Sequence, residues 1–108
     1  MKKEKVTKGF KAFNKDLTCR GFQYKEGETF EMDEEPVRCE CGFHFCTEPL
    51  DVFQYYPPAD SVIHHVEGFG EGSTDNEDSK IAVSKIKIGA QIGLPEFVKL
   101  SIDAILKR

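Results

Sequence analysis

Apolar positions along this chain change period several times, and each change marks an element. Between Glu28 and Met32 the side chains alternate, with Phe30 and Met32 out of phase with Thr29 and Glu31, as in a half-buried strand. Ser61 to Phe69 reads as a second strand. Lys8 to Asn14 places Phe10 and Phe13 near a short one, and Phe22 to Gly27 reads as a strand ending in the Glu26-Gly27 turn signal. Asp16 to Gly21 reads as a turn carrying Cys19. Ser79 to Ile88 reads as a strand whose phase slips at Ser84-Lys85, because Ile81 and Val83 are odd-numbered while Ile86 and Ile88 are even. A bulge there would account for the slip.

Two segments take the helical period. Leu94, Phe97, Val98, Ile102, Ile105 and Leu106 predict a helix over about 94–107, with Lys107 and Arg108 at the end where the helix dipole favours cations. Thr47 fits an N-cap, Glu48 and Pro49 a first turn, and Leu50, Val52, Phe53 and Tyr56 the apolar side of a short helix over about 48–56. Pro57-Pro58 stops it. Strands with two helices at their edges or on one face predict an α+β fold on a small antiparallel or mixed sheet. A single domain spans 1–108, with a basic tail at 1–7 and a flexible acidic loop at 70–79.

Composition narrows the class. The chain is 39% hydrophobic and 31% charged, polar for a globular protein, yet nine Phe and three Tyr supply a core. It holds no run of about 18 apolar residues, and no apolar stretch follows the basic start Met1-Lys2-Lys3-Glu4-Lys5. A cytoplasmic protein without a secretory signal is the expectation. A domain this small buries a modest share of its surface, so a metal or an oligomer contact would widen its stability margin.

Charge is divided along the chain. Residues 1–25 carry a net charge of +6, residues 26–78 a net −14 and residues 79–108 a net +4. The acidic middle is either a solvated surface or a negative field presented to a partner. If it binds, the residues expected to do so are Glu31, Asp33, Glu34 and Glu35 at a strand end and turn, and Glu71, Asp75, Glu77 and Asp78 in the acidic loop. Nucleic acid is disfavoured as its direct partner, because phosphates would be repelled. The basic stretch Lys2 to Lys15 is a minor route to nucleic acid, or a solvated terminus.

All four cysteines, Cys19, Cys39, Cys41 and Cys46, fall within 28 residues, and His44 stands between the last two. Soft ligands in a reducing compartment favour a structural zinc, tetrahedrally held, whose binding energy adds to folding. The expected ligands are the four cysteines, with His44 in reserve. The spacing is C-x-C followed by C-x4-C rather than paired C-x-x-C knuckles, so a turn at Gly42 must bring Cys46 to the others. Buried thiols and a disulfide are the alternatives. The neighbouring His64 and His65 point to opposite faces of a strand, so at most one could reach the site.

Signs of catalysis are sparse. Four cysteines imply a closed metal shell rather than one with an open position. Cys46 and His44 share one short segment, whereas a nucleophile and its base usually come from separate ones. Gly68-Phe-Gly-Glu-Gly72 follows a strand but opens no helix, and its acidic neighbours would repel phosphate. Asp75, Glu77 and Asp78 lack the spacing of a calcium loop. Tyr55-Tyr56 after GFHFC is faintly similar to small folds that transfer ADP-ribose, without an arginine or glutamate to complete the set.

GFxxF at Gly9 to Phe13, DLxCRGFQY at Asp16 to Tyr24, CxxGFHFCxxPLDVFxYYPP at Cys39 to Pro58 and DSKIA at Asp78 to Ala82 resemble a small domain of uncharacterised function encoded by phages and mobile elements. The resemblance covers most of residues 8–90, with Cys19, Cys39, His44 and Cys46 at matching positions. As a small acidic stand-alone domain the chain is also similar to zinc-containing anti-CRISPR proteins. That similarity implies a stoichiometric, non-catalytic inhibitor that binds the type II effector nuclease and blocks its use of target DNA. A small ADP-ribosyl-transferase-like or other modifying enzyme, or a zinc-stapled domain with another host partner, is the alternative.

Overall fold

The computed structural model describes residues 5–19, 21–32, 43–54, 61–70, 72–73 and 79–107. Its strands are β1 (Val6–Asn14), β2 (Thr18–Cys19), β3 (Phe22–Gln23), β4 (Thr29–Glu31), β5 (Phe43–Cys46), β6 (Ser61–Phe69), β7 (Lys80–Val83) and β8 (Lys85–Ile92). A 3-10 helix spans Pro49–Gln54 and the helix α1 spans Leu94–Leu106. The sheet order is β4-β8-β6-β1-β5-β7, and all its pairings are antiparallel. The α+β expectation is met, with one α-helix among the described residues, near the C-terminal end.

β4 and β7 stand at the two ends of the strand order, and one continuous segment links the two sides of the sheet. β6 pairs with β1, β1 with β5 and β5 with β7. After Ser84 the chain runs from β7 straight into β8, which pairs back with β6. The phase slip read at Ser84-Lys85 is therefore not a bulge. It marks where one extended segment leaves β5 and joins β6, and the Ser84 carbonyl there accepts a hydrogen bond from the Met32 amide at 2.8 Å. The bulge lies further on, where the β6–β8 register jumps from His64↔Gln91 to Val66↔Ile88. That jump reverses the face, so Ile88 points to the interior while Ile92 packs on the outside.

Two cores follow. The concave interior holds Phe13, Phe43, Phe45, Val66, Val83, Ile86 and Ile88, with Cys19 and Tyr24 at one end. Outside, Ala12, Cys46, Ile63 and Ile92 are covered by Val52 of the 3-10 helix and Phe97 of α1. Phe45 fits the interior because two facing positions lack side chains. A methyl on Gly9 would lie 2.5 Å from the Phe45 ring and from the Cys46 carbonyl oxygen, and one on Gly68 2.5 Å from the same ring.

Several boundaries depart from the sequence expectation. β1 starts at Val6, because Val6 and Thr7 pair with Phe69 and Gly68, so the strand claims two residues expected in the tail. Cys19 lies in a two-residue strand paired with Phe22–Gln23 rather than in a plain turn. The strand expected over 22–27 ends at Gln23, whose side-chain amide donates to the Asp16, Leu17 and Tyr24 carbonyls. Glu26-Gly27 is the turn it was read to be, with Gly27 at φ +85. The helix expected over 48–56 is a 3-10 helix whose start is tied to β7: the Ser79 hydroxyl and carbonyl accept from the Glu48 and Thr47 amides, and the Ser79 amide donates to Asp51. In the acidic loop Ser73 exchanges two backbone hydrogen bonds with Ala82.

Candidate binding surface

On the outer face, register lines the strands into rows. Val6, Phe69, Lys85 and Glu31 form one row and Lys8, Glu67, Lys87 and Thr29 the next, while Phe10 and His65 form a third. The fourth, Ala12–Ile63–Ile92, is the one that α1 and the 3-10 helix cover. Helix cover thus stops at Phe10, whose ring meets Phe97 edge-on at 5.7 Å on one side and His65 at 5.6 Å on the other.

Beyond that boundary lies a cleft of about 380 Å³ lined by Lys8, Gly9, Phe10, His65, Val66, Glu67 and Gly89. The bulge shapes it. Gly89 passes so close to β6 that a methyl on it would sit 2.9 Å from the His65 carbonyl oxygen, so only glycine fits the backbone there. An aromatic floor with an imidazole, a cation and a carboxylate at its rim has the composition of a recognition site. Among the neighbouring rows charges alternate, with Lys8 and Lys87 flanking Glu67, and Glu31 opposite Lys85.

The interior carries a second polar group of residues. Lys11 is buried among rings, with its ammonium 5.6 Å from the centroids of both Phe13 and Tyr24, and it donates to the His44 carbonyl at 2.5 Å. Burial pushes its pKa below the ordinary lysine value; the Cys19 thiol opposes this by charge and hydrogen bond, Lys80 adds to it, and Cys46 opposes it. Its register partner His64 is also buried. His64 Nδ1 lies 2.9 Å from the Gly89 carbonyl oxygen and 3.5 Å from Glu26, while Nε2 has no hydrogen-bond partner among the described residues. An Nδ1–H donated to that carbonyl leaves Nε2 as a bare acceptor inside the sheet.

Of the expected zinc ligands, Cys39 and Cys41 lie outside the described residues. Cys19 belongs to the interior core and Cys46 to the core beneath α1, and His44 is half-buried on the same face of β5 as Cys46. Among the described residues no three His, Cys, Asp or Glu side chains are grouped to hold a metal. Of the acidic residues expected at an interface, Glu31 is exposed at the sheet edge, while Asp33, Glu34, Glu35, Glu71, Asp75, Glu77 and Asp78 lie outside the described residues. So do Tyr55 and Tyr56.

Sequence reasoning missed the cleft, because nothing local marks Gly89 as a bulge. It also missed Lys11 and His64 as interior residues, though the strict odd phase of Gly9, Lys11 and Phe13 was a usable signal. No helix among the described residues is long and apolar enough to cross a membrane. Neither a curated protein nor a solved structure matches the chain. Residues 7–100 match the family described as a domain of unknown function, DUF7666, and the chain belongs to that family.

Proposed function

We propose that this domain is a non-catalytic binding module that holds a protein partner on the uncovered half of its outer sheet face. The observation that carries this reading is the cleft beside Phe10 and His65, with aromatic area at its floor and Lys8 and Glu67 at its rim. Such a site offers contact area and orientation, the two needs of protein recognition. Glu31 stands at the open edge of the same face, and the acidic run at 33–35 follows it in sequence. A partner with a Lys/Arg-rich surface is complementary to that edge and gains association rate from it.

On the resemblance to anti-CRISPR proteins, the partner proposed is the type II effector nuclease, met in the cytoplasm of a bacterial host and kept from its target DNA. A structural zinc held by Cys19, Cys39, Cys41 and Cys46, with His44 in reserve, remains part of the proposal. Titration of the protein into a nuclease–guide complex during target cleavage tests it. Inhibition is expected to saturate near equimolar, with a complex that survives gel filtration and weakens with added salt. Glu31→Lys with Glu67→Lys is expected to weaken it at least tenfold while the fold persists. Failure to co-elute would remove the nuclease as partner. Substoichiometric inhibition with a mass change on the nuclease would replace the binder by a modifying enzyme.

A further inference from the structure

Where β4 gives out, the Glu26-Gly27 turn takes over as the neighbour of β8. The Gly27 amide donates to the Ile88 carbonyl at 2.7 Å, and the Ile88 amide to the Glu28 carbonyl at 3.0 Å. Three residues on, the Gln91 amide donates to the Glu26 carboxylate at 3.1 Å, a side chain standing where a strand's carbonyl would otherwise be. The turn therefore grips β8 on both sides of the bulge, whose two residues Gly89 and Ala90 stand opposite the single residue His65.

Between those grips His64 takes the Gly89 carbonyl, with Nδ1 at 2.9 Å. The same nitrogen lies 3.5 Å from the Glu26 oxygen that holds Gln91. A carbonyl and a carboxylate only accept, so both contacts require the hydrogen on Nδ1. The imidazole is buried and meets the Phe13 ring edge-on at 5.5 Å, whereas the Glu26 side chain is about half exposed. Neither side chain lines the cleft, yet Gly89 does. Bulged residues leave the regular ladder and glycine has the widest backbone freedom, so this wall of the cleft is held by side chains.

We infer that His64 and Glu26 are the positioning pair of the cleft: the imidazole through its bond to Gly89, and the carboxylate through its bond to the Gln91 amide, hold the bulge that forms the cleft wall. The inference rests on the reading of the cleft as the binding site. It gives that site two determinants outside its own lining. One of them stands in an exposed turn, where a change of charge or contact reaches the cleft without touching its occupant.

Two measurements on the free chain and one with the nuclease–guide complex test this. Nitrogen-15 spectra taken above the range in which imidazoles titrate are expected to show His64 as the Nδ1–H tautomer. The Nε2–H tautomer overturns the inference. Glu26→Ala is expected to speed hydrogen exchange of the Gln91 amide at least tenfold with the circular dichroism spectrum retained. Glu26→Gln keeps an accepting oxygen and is expected to stay near the wild type. Unchanged exchange in Glu26→Ala overturns the inference. In the nuclease titration Glu26→Ala and His64→Leu are expected to weaken inhibition at least fivefold. His64→Asn, which keeps a donor near the place of Nδ1, is expected to recover part of the loss. If Glu26→Ala frees the Gln91 amide but inhibits as the wild type does, the positioning role falls and the binding reading stands. If the wild-type chain does not bind the nuclease, that partner falls, and the tautomer and the exchange rate still decide whether the pair holds the bulge.

Discussion

Lys11 and His64 are direct partners across the β1–β6 ladder, and both side chains are buried on its inner face. Two nitrogen-bearing side chains thus occupy positions that aliphatic residues fill elsewhere in the same layer. Lys11 satisfies its charge with the His44 carbonyl, Cys19 and two aromatic rings, whereas one His64 nitrogen has no partner among the described residues.

The lowered Lys11 pKa gives the fold an alkaline signature. Burial makes the folded protein bind that proton less tightly than the unfolded chain, whose lysine titrates near 10.5. The unfolded state therefore holds more protons between the folded pKa and 10.5, and stability rises with pH through that window. Below the folded pKa the penalty is present in full. Measured by denaturant unfolding, the wild type is expected to gain on Lys11→Met as pH is raised toward 10.5. A difference that is flat or falls with pH would contradict the burial of this charge.

The glycine seats of Phe45 give a second-site test. Gly68→Ala is expected to cost about 1–3 kcal/mol by overpacking. The groups it would strike first, Cε1 and Cζ of Phe45, belong to a side chain that can be shortened, so Phe45→Leu should recover part of the loss. Gly9→Ala should not be recovered in this way, because the Cys46 carbonyl oxygen also lies 2.5 Å from the added methyl. Thermal melts of the two double variants decide it.

α1 has an asymmetric sensitivity. Phe97 is fully buried and touches Phe10 and Phe53 edge-on, so Phe97→Ala is expected to cost about 3–5 kcal/mol. Ile102→Ala, at an exposed position, should stay within about 0.5 kcal/mol of the wild type. Equal losses at the two positions would mean that the helix docks on a different face.

Metal analysis tests the cysteine reading. Purification without chelator is expected to yield about one zinc per chain, and chelation to lower the melting temperature. Cys39→Ala should then reduce both zinc content and stability. A metal-free protein that melts unchanged after chelation would make Cys19 and Cys46 ordinary buried thiols.

Much of the fold was legible locally. Ser61 to Phe69 is a strand with the bounds its pattern gave, α1 falls within the predicted span, and Phe30 and Met32 are more buried than Thr29 and Glu31. The candidate site was less so. His64 and His65 were read correctly as pointing to opposite faces, but not which of them enters the core. The phase shared with Phe13 places Lys11 on one face, but that a lysine can be buried there depends on a carbonyl from β5 and a thiol from β2.

By itself the sequence determined periods and punctuation: which side chains share a face, where Gly27 turns the chain, where the helix begins after Gly93. These are consequences of backbone geometry over a few residues. Tertiary structure alone decided which face is inside. The break at Ser84 became the passage from β5 to β6 because β8 returned to β6, a pairing between segments about twenty residues apart that no local pattern encodes. The same long-range pairing buried Lys11 and shaped the cleft at Gly89. Periodicity names two faces, and only the competition of all elements for one core chooses between them.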